Sequence, residues 1–393
     1  QQGFPMKARA SILGIGCSEF STKLEASQTS LGADAFLSAL DDSGLSRDQI
    51  DGVSIHYGGP LGIDYDRFVS AFGLDVRYVN QHWRNGRFIS TAMQNAALAV
   101  DAGLADVVAC VTAISFTRIR DQLNAAGNAE AMREEGGTHG EAPPYGFTFP
   151  AGGPALAMQL YMQRFGVTSE DLAAVPMAIR AHALRNPDAI MQKPMGLADY
   201  LASPMLSDPL RVADCCLVSD GAVVVLIGRP DMARDLKHRP VDIVGMQGLR
   251  ASREEFIFAP RGLGVQQQSG DYQAGRERDM EVYRSARVER ADVQGFYTYD
   301  AFSPLVLFAL ERFGFCGAGE AASFVKDGKI GPGGSLPVNT SGGLLSEAHI
   351  AGWNSVVEMV RQLRGEAGQR QIADASLLQW GTSWGDSILL ANR

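Results

Sequence analysis

At 393 residues the chain is long enough for two domains, or one large doubled one, and a hydrophobic share of 46% against 20% charged residues reads as an ordinary globular composition. A net charge of -9 without any concentrated Lys and Arg run argues against a phosphate-backbone partner, so no nucleic acid is expected. The longest apolar runs, Ala222 to Ile227 and Leu305 to Leu310, are too short to span a bilayer, and no charged-then-apolar signal pattern stands at the N-terminus; the expectation is a cytoplasmic protein with no membrane partner.

Gln1 to Pro5, ahead of Met6, are set aside from the fold reading. Ala10 to Gly16 then reads as a strand, Leu31 to Ser43 as a helix, and Val53 to Tyr57 as a strand. Apolar residues recur at helical spacing from Ser90 to Gly103, and Asp106 to Ala113 is a continuous apolar strand of the kind buried on both faces. From about 115 to 213 this rhythm breaks into a Gly- and Pro-rich patch followed by helical segments at Leu156 to Phe165 and Ser169 to Asn186. A long insertion between two strands of an α/β sheet predicts a lid or a substrate platform. Gly221 to Gly228 resumes the sheet, and Val241 to Leu249 opens a second cycle. Val293 to Tyr299, Leu305 to Phe313, Ser355 to Leu363 and Ser376 to Leu390 complete it as strand, helix, helix and strands. The alternation predicts βαβ units and a largely parallel sheet, with an N-terminal half over 6–230 that contains the insertion at 115–213, and a C-terminal half over 240–393. The halves look like one unit used twice, each with a turn leading into a long helix, although no repeat is visible residue by residue.

The five cysteines, Cys17, Cys110, Cys215, Cys216 and Cys316, include no C-x-x-C pair and no histidine cluster stands near them. Thiols are expected, without disulfides or a zinc site. The remaining histidines, His56, His82, His139, His182 and His238, are scattered, and His82 stands out only because Trp83 follows it.

Three long segments carry a family likeness. They are Tyr200 to Ala222 (YLASPMLSDPLRVADCCLVSDGA), Tyr299-Asp-Ala-Phe-Ser303 with Phe313-Gly-Phe-Cys-Gly317, and Gly331 to Gly343 (GPGGSLPVNTSGG), continuing through Leu344-Leu-Ser-Glu-Ala-His349. Together they resemble the thiolase superfamily, in its lipid-transfer or sterol-carrier-protein-x branch, over essentially Met6 to Arg393. The resemblance implies an α/β thiolase fold: two similar βαβαβαββ halves in a five-layered αβαβα arrangement with a loop-domain insertion.

Thiolases use a cysteine nucleophile because the acyl group must be held covalently while one thioester product leaves. Where that family keeps its two cysteines, this chain has Trp83, in His82-Trp-Arg-Asn-Gly86, and Trp380, in Trp380-Gly-Thr382. An indole offers one N–H donor and can neither attack nor titrate. His349, expected to open the helix that follows the glycine turn, matches the family histidine that stabilises a developing enolate on the thioester oxygen. Gly342 and Gly343 before it permit close backbone approach to a thioester. Tyr299 stands first in Tyr-Asp-Ala-Phe, as in a sub-branch of retro-aldolases that act on steroid side-chain CoA thioesters without the cysteines. A free phenol has a pKa of about 10, so Tyr299 must act with its pKa lowered by a neighbour or relay its proton through water. The chain departs from that sub-branch at His349, where those enzymes tend to carry a second tyrosine. Asp300 either orients Tyr299 and its loop or caps a helix.

The resemblance therefore implies cleavage of a 3-hydroxyacyl-CoA, with a steroid-side-chain or aromatic portion, into a ketone or aldehyde plus a shorter acyl-CoA. Tyr299 and His349 are the expected catalytic residues, with Trp83, Asp300, Gly342, Gly343, Trp380 and Thr382 at the substrate, and backbone N–H groups near Trp83 and Thr382 are expected to help hold the enolate oxygen. No cofactor is implied beyond the coenzyme A of the substrate. A homodimer and a partner protein with an OB-fold and a zinc ribbon are implied as well. Two other readings stay open: a β-ketothiolase or acyltransferase using a displaced cysteine, and a non-catalytic acyl-CoA or lipid-binding scaffold.

Overall fold

The structure is a computed structural model that describes residues 8–24, 26–59, 62–82, 88–117, 150–250 and 272–392. Its first half supplies β1 (Ala10–Cys17), α1 (Gln28–Ser43), β2 (Gly52–His56), α2 (Tyr65–Phe72), β3 (Tyr78–His82), α3 (Ile89–Asp101) and β4 (Val107–Ser115). The insertion contributes α4 (Gly152–Phe165), α5 (Ser169–Ala183), α6 (Leu197–Ala202) and a small ribbon of β5 (Met205–Ser207) with β6 (Leu210–Arg211), and β7 (Asp220–Gly228) closes the half. The second half runs through β8 (Val241–Gln247), α7 (Glu281–Ala286), β9 (Gly295–Tyr297), α8 (Ser303–Arg312), α9 (Ala321–Lys326), α10 (Trp353–Arg364), β10 (Leu377–Gly381) and β11 (Ser387–Asn392).

The duplication that the residues conceal is visible in the strand order. One nine-stranded sheet runs β3-β2-β4-β7-β1-β8-β11-β10-β9, and its two sides mirror each other about the β1–β8 seam. Outward from that seam, each half meets its first strand, then an antiparallel last strand (β7 or β11), then the strand before it (β4 or β10), then its second (β2 or β9). The inner pairs β2–β4 and β9–β10 are parallel in both halves. Where β3 edges the first half, the described part of the second offers only a parallel bridge from Phe296 to Val338. Helices follow the same rule, with α1 on β1 and β7, and α7 on β8 and β11.

Side-chain alternation explains the layering. Along β4, Val107, Ala109, Val111 and Ala113 join the cluster built on α1 and α2, while Val108, Cys110 and Ile114 join the larger one that contains α3 and α10. Every position of β4 and β7 is buried, as strands covered on both faces require. The inner helices tie the halves together. Gln94 of α3 donates to the carbonyls of Gln247 at 2.8 Å and Ser387 at 3.3 Å, and the indole N–H of Trp353 on α10 donates to Nδ1 of His56 on β2 at 2.8 Å.

Three boundaries differ from expectation for identifiable reasons. The strand expected to reach Tyr299 stops at Tyr297, because the side-chain amide of Asn339 replaces the neighbouring strand: its Oδ1 accepts from Thr298 N at 2.9 Å and its Nδ2 donates to Thr298 O at 3.0 Å. The helix after the glycine turn opens at Trp353, four residues beyond His349, so His349 lies in the loop ahead of it. The edge strand β3 escapes the sequence pattern because Tyr-Val-Asn-Gln-His is half-exposed and offers no apolar run.

Candidate active site

Two segments converge at the end of the second half-sheet: the chain leaving β9, with Tyr299 and Asp300, and the loop from Asn339 to Gly352 that leads into α10. Asp300 is wholly buried and accepts from the backbone N–H of Leu344 at 2.9 Å and of Leu345 at 3.4 Å. Those N–H groups belong to one turn of π-helix, Gly343–Glu347. Gly343 takes φ +52°, and a Cβ there would collide with the Asp300 carboxylate, so glycine is what lets the turn close on its anchor. Burial lifts the Asp300 carboxyl to about 6 despite these donors.

The π-turn is also held from the insertion. Ile190 N donates to Glu347 O and Met191 N to Ser346 O, both at 3.0 Å, and Arg180 Nε donates to Ser346 Oγ at 2.9 Å. The Glu347 carboxylate accepts from Asn186 Nδ2 at 3.0 Å, Ser341 Oγ at 2.5 Å and Asn354 Nδ2 at 2.6 Å. Burial still pushes its carboxyl up to about 7. The described part of the insertion thus braces the loop that carries His349.

His349 emerges from this frame with its backbone N–H bound to Ser219 Oγ at 2.8 Å. Its Nε2 stands 3.4 Å from the phenol oxygen of Tyr299, and the two side chains are buried together. Aromatic walls flank the pair: the Phe116 ring is 5.5 Å from the imidazole, and the Trp384 ring is 6.3 Å from that of Tyr299. A buried phenol beside an imidazole can exchange a proton and present a donor to a developing oxyanion.

The other expected residues distribute around this pair. Gly342 and Gly343 are part of the loop and let it turn, and Asp300 anchors it through the Leu344 N–H. Trp380 is buried on β10 with its indole against Gly352, at the start of α10. Thr382, near which backbone N–H groups were expected to help hold an enolate oxygen, sits in a 382–386 turn that closes on itself: its own N–H donates to Asp386 O at 3.0 Å. Its hydroxyl is bound to the Asp386 carboxylate, which Ser90 at the start of α3 also reaches. Trp83 lies outside the described residues. Its neighbour His82 stacks on Phe88 with rings 6.5 Å apart, and burial lowers its pKa. Phe116, Ser219, Glu347 and Trp384 were not foreseen; Trp384 alone left a signal, as the second tryptophan of Trp380-Gly-Thr-Ser-Trp384.

All five cysteines are described, and burial raises every one. Cys17 and Cys215 are pushed up to about 12, and Cys110, Cys216 and Cys316 are raised as well. A nucleophilic cysteine needs the opposite shift.

A fold of two mirrored half-sheets, with a histidine loop at the head of its inner helix, defines a thiolase-type enzyme. Residues 265–385 match the family described as "Thiolase C-terminal domain-like". The chain is 36% identical over 92% of its length, and 92% of the relative's, to a 17-hydroxy-3-oxo-4-pregnene-20-carboxyl-CoA lyase of Mycobacterium tuberculosis. It is 34% identical to a steroid side-chain-cleaving aldolase of Thermomonospora curvata, over 91% of this chain and 90% of that one. The solved structure of an Ltp2-ChsH2(DUF35) aldolase superposes with a TM-score of 0.84 at 29% identity, covering 98% of this chain and 97% of that one. An acetyl-CoA acetyltransferase from Syntrophomonas wolfei shares the fold at 14% identity, with a TM-score of 0.66 over 99% of this chain and 100% of that one. The chain belongs to the thiolase-like family of enzymes.

Proposed function

We propose that the chain is a carbon–carbon lyase that cleaves a 3-hydroxyacyl-CoA thioester, with a steroid-side-chain or aromatic acyl portion, into a ketone or aldehyde and a shorter acyl-CoA, with no acyl-cysteine intermediate. The observation that carries this reading is the buried approach of Tyr299 Oη to His349 Nε2 at 3.4 Å in a chain whose thiols are all raised by burial. With their shared proton on Nε2, Tyr299 is a phenolate that can take the proton of the 3-hydroxyl. The C2–C3 bond then breaks, C3 becomes a carbonyl, and the electron pair enters the thioester as an enolate whose oxygen faces the imidazolium. Returning the hydroxyl proton to C2 through the same pair completes the acyl-CoA and restores the resting state. Relatives named as a CoA lyase and a side-chain-cleaving aldolase support both the bond cleaved and the substrate class.

A partner of the DUF35 type completes the reading, supported by the aldolase neighbour that carries one in its name. An OB-fold with a zinc ribbon is the form we expect of it. A homodimer is proposed on family grounds, with β3 at the edge of the described sheet and Val79 exposed on it. Among the described residues no helix is long and apolar enough to cross a membrane, and we place the enzyme in the cytoplasm. The test is to supply synthetic 3-hydroxyacyl-CoA thioesters, ring-bearing and linear, to the chain with and without a DUF35-type partner, and to follow ketone or aldehyde release. Absence of cleavage in every combination refutes the reading.

A further inference from the structure

The Thr382 N–H is taken up within its own turn, and the strand just ahead of that turn holds a donor with no partner among the described residues. Trp380 is 1% exposed, yet its indole Nε1 has no hydrogen-bond partner among the described residues. Buried polar groups are rarely left this way, and an orphan of this kind invites a functional explanation.

Its placement fits one. Trp380 pairs in register with Tyr297, two residues before Tyr299, and the turn that follows it contains Trp384, whose ring lies 6.3 Å from that of Tyr299. The indole reaches the start of α10: a Cβ on Gly352 would stand 2.6 Å from Trp380 Cη2, with Ile89 Cδ1 of α3 3.3 Å from the same point. Gly352 holds φ +96° three residues after His349, so a glycine stands where the approach of the indole would exclude any other residue. Ser383 Oγ, in the turn that follows, and Thr298 Oγ1, beside Tyr299, also lack a partner among the described residues, but a hydroxyl can rotate toward a new acceptor and a buried indole on a strand cannot.

We propose that the Nε1–H of Trp380 is the second donor to the thioester oxygen, acting beside His349, so that an indole supplies the hydrogen bond that the Thr382 backbone withholds. The inference rests on the lyase reading and adds a catalytic residue to it. As the C2–C3 electron pair moves into the thioester, charge accumulates on that oxygen in a buried setting, where a fixed N–H donor is most effective. Tryptophan at this position then excludes sulfur chemistry and serves enolate chemistry with the same side chain.

The test replaces Trp380 site-specifically with 3-benzothienylalanine, which keeps the shape of the ring and substitutes sulfur for the N–H, with Trp380→Phe as a second variant. Two measurements are made: turnover of 3-hydroxyacyl-CoA thioesters, and binding of a nitronate analogue in which a nitro group stands for the enolate carbon and oxygen. The benzothienyl variant is expected to lose about 100-fold in kcat and in nitronate affinity. KM should stay within about threefold and thermal unfolding should match wild type, while Ser383→Ala changes neither measurement. Unchanged nitronate binding in the benzothienyl variant overturns the proposal, as does an equal loss in Ser383→Ala. Should wild type bind the nitronate through Trp380 but cleave no thioester, the donor stands and the lyase reading falls.

Discussion

Asp300 accepts the backbone N–H of Leu344 at 2.9 Å from a site with no access to solvent, and through that bond the segment leaving β9, which carries Tyr299, positions the loop carrying His349. Asp300→Asn keeps one carbonyl acceptor but brings an NH2 toward the second N–H, at Leu345. The loop should shift by a fraction of an ångström, with kcat falling about 10- to 100-fold. Gly343→Ala attacks the same junction from the other side, since its φ of +52° and the Asp300 carboxylate leave no room for a Cβ. It should destabilise the chain by about 2 to 4 kcal/mol. Chemical denaturation and steady-state kinetics of both variants check this. Wild-type kcat in Asp300→Asn would show that the carboxylate does not position the loop.

If Tyr299 and His349 share one proton, their removal should not be additive. Tyr299→Phe is expected to reduce kcat by about 10²- to 10⁴-fold and His349→Ala by about 10²- to 10³-fold. The double variant should fall little further than the worse single one, because each partner is idle without the other. Losses that multiply would separate the two residues and sink the relay.

Much of this site could be read from the residues, and what could not has a physical cause. Tyr299, His349 and the glycine turn were legible because their segments preserve a family pattern without gaps. Their mutual distance was not, because the two come together only through the Asn339 amide and the Asp300 carboxylate, long-range contacts with no local periodicity. The β-strands buried on both faces, β4 and β7, stood out as apolar runs, whereas the polar edge strand β3 and the short α7 and α9 left no pattern. The duplication is a property of strand order, and a symmetric topology demands no symmetric side chains. The fate of the Thr382 N–H was hidden for a related reason: a tight turn chooses its own acceptor, here Asp386 O.

Thiol chemistry offers an independent check. Cys17 and Cys215 sit near 12, so at neutral pH roughly one thiol in 10⁴ or fewer is a thiolate. Iodoacetamide at pH 7.5 should therefore leave turnover intact over a period that inactivates a cysteine-dependent thiolase. Loss of activity in step with labelling of one cysteine, located by peptide mass, would restore the displaced-cysteine reading.

Glu347 gives the fold a pH dependence with a definite sign. Its carboxyl is raised from 4.5 to about 7, mainly because burial penalises the charged form, with Glu358 adding to the rise and the donors Ser341 and Asn354 and the Arg361 charge opposing it. A carboxyl raised on folding makes the native state bind more protons than the unfolded chain between those values. Stability is therefore greatest on the acid side of the window, declines as pH climbs toward 7, and is flat above it. Asp300, raised from 3.8 to about 6, contributes in the same direction at lower pH. Glu347→Gln removes the first contribution and keeps the second, so relative to wild type it should gain about 2 to 3 kcal/mol between pH 5 and pH 8. The amide must place its NH2 among Asn186, Ser341 and Asn354, which all donate to the carboxylate, so an offset at every pH is expected and only the change in the difference is diagnostic. Urea midpoints for both proteins at the two pH values measure it. A difference that stays constant would mean that Glu347 titrates alike in the folded and unfolded chain, and that the donors around it fully offset its burial.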